Sequence, residues 1–94
     1  MNTTQLRAFL AVAQTASFSR AAEQLHLTQP AISKRVGQLE EELDSRLLDR
    51  IGRRVSLTEA GRAVLPRAQR ILAEMEDSRR AIQNLAGQVT GQLR

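Results

Sequence analysis

The run Thr28-Gln29-Pro30-Ala31-Ile32-Ser33-Lys34-Arg35 is followed by Arg50, Arg53 and Arg54. Side chains of these types suit one kind of chemistry. Guanidinium and ammonium groups bind phosphate, and amide or hydroxyl groups beside them exchange hydrogen bonds with base edges. Bond-making chemistry finds no support. With no Cys, the chain has no thiol nucleophile, no disulfide and no zinc–thiolate site. The single histidine, His26, has no Cys or carboxylate neighbours and reads as a turn residue. No Ser-His-Asp set, Gly-rich phosphate loop or carboxylate pair in an apolar pocket is legible. We therefore expect no enzymatic activity, no metal and no cofactor.

Composition agrees without deciding. Fourteen Lys and Arg face ten Asp and Glu, a net charge of +4 that favours an anionic partner. Many solvated domains carry as much, so the placement of the cations matters more than their number. Phe9 and Phe18 are the only aromatics, which argues against binding single strands by base stacking. No apolar run approaches the roughly 20 residues that span a bilayer, and no signal-peptide pattern opens the chain, so a cytoplasmic location is expected. Ninety-four residues can bury one modest core, any surplus going into an extended element.

The periodicity predicts a mainly α fold. Leu6, Phe9, Leu10 and Ala13 mark one face of a first helix, capped by Thr3 or Thr4. Ser19 is expected to cap a second helix over Arg20 to Leu25, with Ala21, Ala22 and Leu25 turned inward. After a turn at His26-Leu27, Thr28 caps a third helix with Pro30 in its first turn. Ile32, Val36, Leu39 and Leu43 form its apolar stripe; Pro30, Lys34 and Gly37 lie opposite, flanked by Gln29 and Ser33. The start of this helix is thus polar and cationic outside, whereas Glu40, Glu41 and Glu42 form a later, solvated acidic face that phosphate would repel. Gly37 hints at close approach by another body. Two capped helices joined by a tight turn are how a small domain presents one helix to a DNA major groove.

Leu47 to Leu57 reads as a short hairpin with its tip at Gly52-Arg53, apolar at Ile51, Val55 and Leu57. An arginine-tipped hairpin there is a wing, able to reach a minor groove or a backbone. Thr58 then caps a long helix from Glu59 to about Val89. Its heptad seam, Val64, Ala68, Ile71, Met75, Ser78, Ile82, Leu85 and Val89, is expected to pair with a second copy. At 1.5 Å per residue such a helix is roughly 45 Å long, more than so small a domain can cover. Pro66 should kink it or release the carbonyl of Arg62. The expected division is a winged helix-turn-helix over 1–58 and a linker or dimerisation helix over 59–94.

Each signal has a plainer explanation: caps for Ser19 and Thr28, solvation for Gln29, Lys34 and Arg35, solubility for Arg53 and Arg54, and intramolecular packing for the first part of the seam. Their agreement on one geometry favours a DNA reader over any of these singly. The alternative is a coiled-coil oligomerisation or adaptor module whose basic face keeps it soluble, which would have no need of a cationic start to the third helix.

The residues also resemble a known family, the LysR-type transcriptional regulators of bacteria. The likeness runs through Gln5-Leu6-Arg7, Phe9, Ser17-Phe18-Ser19, Ala21-Ala22, Leu25, Thr28 to Ser33, Leu39-Glu40, Leu47, Arg50, Arg53 and Leu57-Thr58-Glu59-Ala60-Gly61. Asp44 stands where that family usually ends a helix with Gly, and Leu48 where Phe is usual; Asp tolerates the left-handed backbone, and Leu would fill the core less fully. The resemblance implies sequence-specific binding of double-stranded DNA by a dimer on an inverted repeat, for transcription regulation. It implies that Gln29, Pro30 and Ala31 meet base edges, with Thr28, Ser33 and Lys34 on phosphates. It further implies that Arg50 holds the backbone near the wing and Arg53 enters the minor groove; Arg35 is an additional base or phosphate contact. An effector-binding domain follows the linker helix in such proteins. The chain stops at Arg94, where that domain would begin, so a fragment or truncated form with no coinducer site is expected, dimeric where full regulators are commonly tetramers.

Overall fold

The structure is a computed structural model that describes the backbone of residues 1–92 and the side chains of residues 1–86. Four helices and one hairpin follow in the order α1 (Thr3–Thr15), α2 (Phe18–Leu25), α3 (Gln29–Leu43), β1 (Leu48–Ile51), β2 (Arg54–Leu57) and α4 (Glu59–Gln92). The winged helix-turn-helix with a long final helix is therefore the observed architecture.

Caps decide where the helices start. Asn2, not Thr3 or Thr4, caps α1: its side chain accepts from Gln5 N–H at 2.9 Å while the Gln5 side chain accepts from Asn2 N–H. Ser17, not Ser19, caps α2, accepting from Arg20 N–H at 3.1 Å. The reason is burial. Starting the helix at Phe18 turns that ring into the core with Ala21 and Ala22, a gain that a cap at Ser19 would forfeit. Thr28 caps α3 as expected, with Pro30 in the first turn. Helices α1, α2 and α3 each end on a non-glycine residue in the left-handed region, Ala16, His26 and Asp44. Asp44 thus closes its helix as the sequence suggested.

The core is built from Leu6, Ala8, Phe9, Ala11 and Val12 of α1, the three α2 residues above, Ile32, Val36 and Leu39 of α3, and Leu47, Leu48 and Ala68. On α1 the inward face includes Ala8, Ala11 and Val12, while Leu10 and Ala13 are only half-buried. The crowding of alanines lets α2 and α4 both approach α1 closely. Leu48 is buried, so the smaller side chain still closes its part of the core.

The strands pair antiparallel with Leu48 opposite Leu57 and Ile51 opposite Arg54, leaving Gly52-Arg53 as a two-residue tip. Gly52 has φ +64° while Arg53 does not share a positive φ, the glycine-first pattern of type II′ hairpins. Ile51, expected among the apolar hairpin positions, is 72% exposed. It lies at the end of a two-stranded ribbon, beside the exposed tip.

Helix α4 runs unbroken through Pro66, and Thr58 caps it by accepting from Gly61 N–H at 3.0 Å. Its first turns belong to the core, with Val64, Leu65 and Leu72 half-buried and Ala68 wholly buried. Ala68 is therefore occupied inside the chain, and the exposed seam starts only at Ile71. Ile71, Met75, Ile82 and Leu85 are exposed in the single chain; the side chain of Val89 lies outside the described residues.

Gly61 marks the tightest junction. A Cβ there would stand 2.1 Å from the Leu47 carbonyl oxygen, so Gly61→Ala must push α4 away from the segment that leads into the wing. Loss of about 1–3 kcal/mol in urea unfolding is the expected result; an unchanged midpoint would show that the junction relaxes freely.

Candidate nucleic-acid interface

The candidate residues fall on one side of the molecule because of the phase of α3. At about 100° per residue, burying Ile32, Val36 and Leu39 turns Pro30 and Lys34 directly outward, and both are exposed. Gln29, Ser33 and Glu40 share one flank of the helix, spaced by about one and two turns. Each makes a contact on that flank. Gln29 Oε1 accepts from the Ser19 hydroxyl at 3.1 Å. The Ser33 hydroxyl accepts from Arg50 Nη2 at 3.1 Å. Glu40 Oε2 accepts from the N–H groups of Leu47 at 2.8 Å and Leu48 at 3.2 Å.

Glu40 is thus not part of a solvated acidic face, as the run of three glutamates suggested. Its side chain is 19% exposed and pins the entry to the wing, with Arg46 Nε at 4.0 Å from the same oxygen. Glu41 and Glu42 remain exposed, and Glu42 pairs with the N-terminal ammonium of Met1.

Arg50 connects three elements. Strand alternation puts Leu48 and Arg50 on the same face of β1. The Arg50 guanidinium carbon lies 3.6 Å from the Phe18 ring centroid while its Nη2 reaches Ser33. The cation covers the aromatic ring at the start of α2 and ties the wing to α3. Sequence reasoning had no long-range signal for this pairing, although the alternation around the buried Leu48 places Arg50 inward.

Ser17, Phe18, Ser19, Gln29, Arg50, Arg53 and Arg54 line one open recess between the starts of α2 and α3 and the wing. Gln29 and the three wing arginines are therefore brought together. Thr28, Pro30, Ala31, Ser33 and Lys34 continue the surface along the first half of α3, where Ala31 and Ser33 are half-buried. Arg35 stands apart: it is half-buried on the opposite flank of α3 from Gln29 and Ser33. Beside Gly37 nothing in the chain comes within 4 Å of a notional Cβ, so no intramolecular contact accounts for that glycine.

The helix starts on this side carry no acidic side chain. Neither α2 nor α3 has an acidic residue in its first turn, so their positive dipole ends are unopposed by their own side chains. Each cap satisfies one of the free N–H groups and leaves others at the surface. Among the described residues, none of Lys34, Arg35, Arg50, Arg53 and Arg54 forms an ion pair. Such a surface can hold successive phosphates while the outward residues of α3 meet what lies between them. Among the described residues, no group of three His, Cys, Asp or Glu side chains could hold a metal ion, and no helix is long and apolar enough to cross a membrane.

Comparison with known proteins bears on this geometry. Residues 3–62 match the family described as bacterial regulatory helix-turn-helix protein, lysR family. The chain is 62% identical over 93 residues to an HTH-type transcriptional regulator of Azotobacter vinelandii from an ibpB–leuC intergenic region, covering 99% of this chain and 65% of that protein. It is 46% identical over 90 residues to the RuBisCO operon transcriptional regulator of Allochromatium vinosum, covering 96% of this chain and 30% of that one. The chain thus spans less than two thirds of the length of either relative. Among solved structures, the CbnR DBD–DNA complex is similar with a TM-score of 0.85 and 38% identity, over 92% of this chain and 99% of that chain. The BenM DBD with benA site 1 DNA is similar with a TM-score of 0.87 and 34% identity, over 92% of this chain and 97% of that chain.

Because Arg50 is engaged within the chain, its loss should loosen the wing before the core. In Arg50→Ala, amide exchange across the hairpin should quicken by about two- to fivefold, the scale of an exposed cation–π contact. The core amides of α1 should keep their rates. Equal acceleration everywhere would mean that Arg50 supports the whole fold and not the wing.

Proposed function

The chain belongs to the LysR family of bacterial regulatory helix-turn-helix proteins, and on that premise we propose that it binds double-stranded DNA sequence-specifically, as a dimer on an inverted repeat. The observation that carries this reading is the common exposure of the start of α3 and the arginine wing, with every cation there free of ion pairs. The solved DNA complexes of CbnR and BenM, whose chains resemble this one along nearly their whole length, support it.

In this reading the first half of α3 lies in the major groove. Gln29 with Pro30 and Ala31 faces base edges, and Thr28, Ser33 and Lys34 approach phosphates. Arg53 and Arg54, at the exposed hairpin tip, reach the neighbouring minor groove or its backbone. Arg50 takes a different part from the one the resemblance implies: it sets the wing's position through Phe18 and Ser33 and touches the DNA backbone at most with its remaining N–H groups. Arg35 contributes a backbone contact on the far flank of α3. Binding and regulation, with no catalytic step, are the whole of the activity proposed, in the bacterial cytoplasm where the DNA lies.

Residues 1–58 form the reading unit, and the part from 59 onward joins two copies through Ile71, Met75, Ile82 and Leu85 of α4. Those four residues follow the alternating spacing of a heptad seam and are left exposed by the single chain. Burying them against a second copy satisfies them and sets two reading units about one axis.

Selection from a random duplex pool at two salt concentrations tests the reading. A two-fold symmetric motif is expected, with a log–log salt slope steeper than about −4. Arg53→Ala should cost about 1–3 kcal/mol on sites with narrow A·T-rich flanks and less on G·C flanks. Retention without any motif would overturn the specific reading, and no retention at low salt would leave an oligomerisation module.

The seam has its own test. Ile82→Glu with Leu85→Glu should shift the chain from dimer to monomer in sedimentation while leaving its helix content unchanged, since neither side chain is packed within the single chain. Any loss of unfolding stability should be the concentration-dependent part that the dimer contributes. A dimer that survives both changes would place the interface elsewhere.

A further inference from the structure

We propose that Ser19 is a specificity-determining residue: it fixes which polar end of the Gln29 amide faces the DNA, so that Gln29 presents hydrogen-bond donors to a base bearing major-groove acceptors. The inference rests on the DNA-binding reading above and deepens it.

Ser19 is not the cap of α2; Ser17 does that work by accepting from Arg20 N–H. The Ser19 hydroxyl is thereby released from the helix terminus. It points across the helix-turn-helix to the first residue of α3, donating to Gln29 Oε1 at 3.1 Å. Two helix starts meet at this bond, Ser19 in the first turn of α2 and Gln29 in the first turn of α3.

The consequence follows from the amide's chemistry. A glutamine offers an acceptor oxygen at one end and two N–H donors at the other. When both ends are free, the side chain can pair in bidentate fashion with adenine, accepting from N6 and donating to N7. Here the oxygen is held by the Ser19 hydroxyl, and both residues line the recess beside the start of α2. The Nε2 donors are left for the ligand. Guanine presents two acceptors in the major groove, O6 and N7, and thymine presents O4. The adenine pattern needs Oε1 turned into the groove. That oxygen keeps a second lone pair, so adenine is disfavoured by the direction in which Ser19 holds it and not by a lost acceptor.

Both groups are exposed, so the bond is not forced by packing and exchanging Ser19 leaves the core intact. Its effect is therefore on the choice of base and not on stability. Ser19→Asp inverts the geometry: a carboxylate accepts only, so it would draw Nε2 inward and turn Oε1 out towards base donors such as cytosine N4 and adenine N6.

The test compares base preferences of the chain with those of Ser19→Ala, Ser19→Thr, Ser19→Asp and Gln29→Ala, by selection from one random duplex pool. Gln29→Ala identifies the base pair that Gln29 reads, as the position whose preference disappears. At that position the unaltered chain should favour guanine or thymine over adenine on the contacted strand. Ser19→Ala should relax that preference by about three- to tenfold, the scale of one neutral hydrogen bond, with the salt slope unchanged. Ser19→Thr keeps the hydroxyl and should keep the preference, and Ser19→Asp should move it towards adenine or cytosine. A preference untouched in Ser19→Ala, or adenine favoured by the unaltered chain, would overturn the role of Ser19 while leaving DNA binding in place. No Gln29-dependent position in any selected site would overturn the base-reading role of Gln29, and this inference with it.

Discussion

Leu47 joins the three parts of the molecule that a DNA reader must hold in register. Its side chain is wholly buried. Its N–H is taken by the Glu40 carboxylate, which fixes it to α3. Its carbonyl accepts from Thr58 N–H at 3.0 Å and abuts Gly61, which fixes it to the start of α4. The wing begins at the next residue, whose N–H the same carboxylate also holds. A charge-assisted acceptor serving two backbone donors, partly shielded from water, is among the stronger polar contacts a small domain can make. Without it the N–H groups of Leu47 and Leu48 would have to turn to water, and the entry to the hairpin would lose its polar tie to α3.

The second constraint is the wing itself. A two-stranded ribbon has little stability of its own, and the outer face of this one carries the exposed Ile51. Its inward face is held at both ends, by buried Leu48 near the knot and by Arg50 over Phe18. Phe18 is therefore more than a core residue. Its ring closes the core beneath α2 and forms the seat for a cation that orients the hairpin towards α3. The same substitution that thinned the core would also detach the wing, which couples stability to the geometry of the proposed interface.

How much of this was legible in the sequence depends on range. The stripe of α3, the caps at Thr28 and Thr58, the left-handed end at Asp44 and the glycine at the hairpin tip are local, and periodicity or turn chemistry reveals them. The start of α2 was misplaced because Ser17 and Ser19 are equally good caps, and only the burial of Phe18 separates them. At the start of α1, Asn2, Thr3 and Thr4 all offer capping oxygens, and the reciprocal bond with Gln5 selects Asn2. Glu40 was grouped with its acidic neighbours, although its place on the flank of Gln29 and Ser33 distinguishes it once the wing is in position. The Arg50–Phe18 and Ser19–Gln29 contacts join different elements, and no spacing rule foresees them.

The distribution of charge explains why a net charge of +4 says so little by itself. On the outer part of α4, Arg80 lies 3.9 Å from Glu76 and 3.7 Å from Asp77. Such exposed pairs add little stability, but they make that stretch of surface nearly neutral at short range. Two acids of α3 are engaged in different ways: Glu40 is turned inward to the Leu47 and Leu48 amides, and Glu42 is paired with the N-terminus, while Glu41, Asp44 and Asp49 stay exposed. Among the described residues Lys34, Arg50, Arg53 and Arg54 form no ion pair, and they stand beside two helix starts that also carry positive ends. A modest excess of charge is thus concentrated on the face with the outward half of α3, while the exposed seam of α4 is left to apolar contact. The two proposed tasks, holding DNA and holding a second copy, are kept apart by where the charges are satisfied.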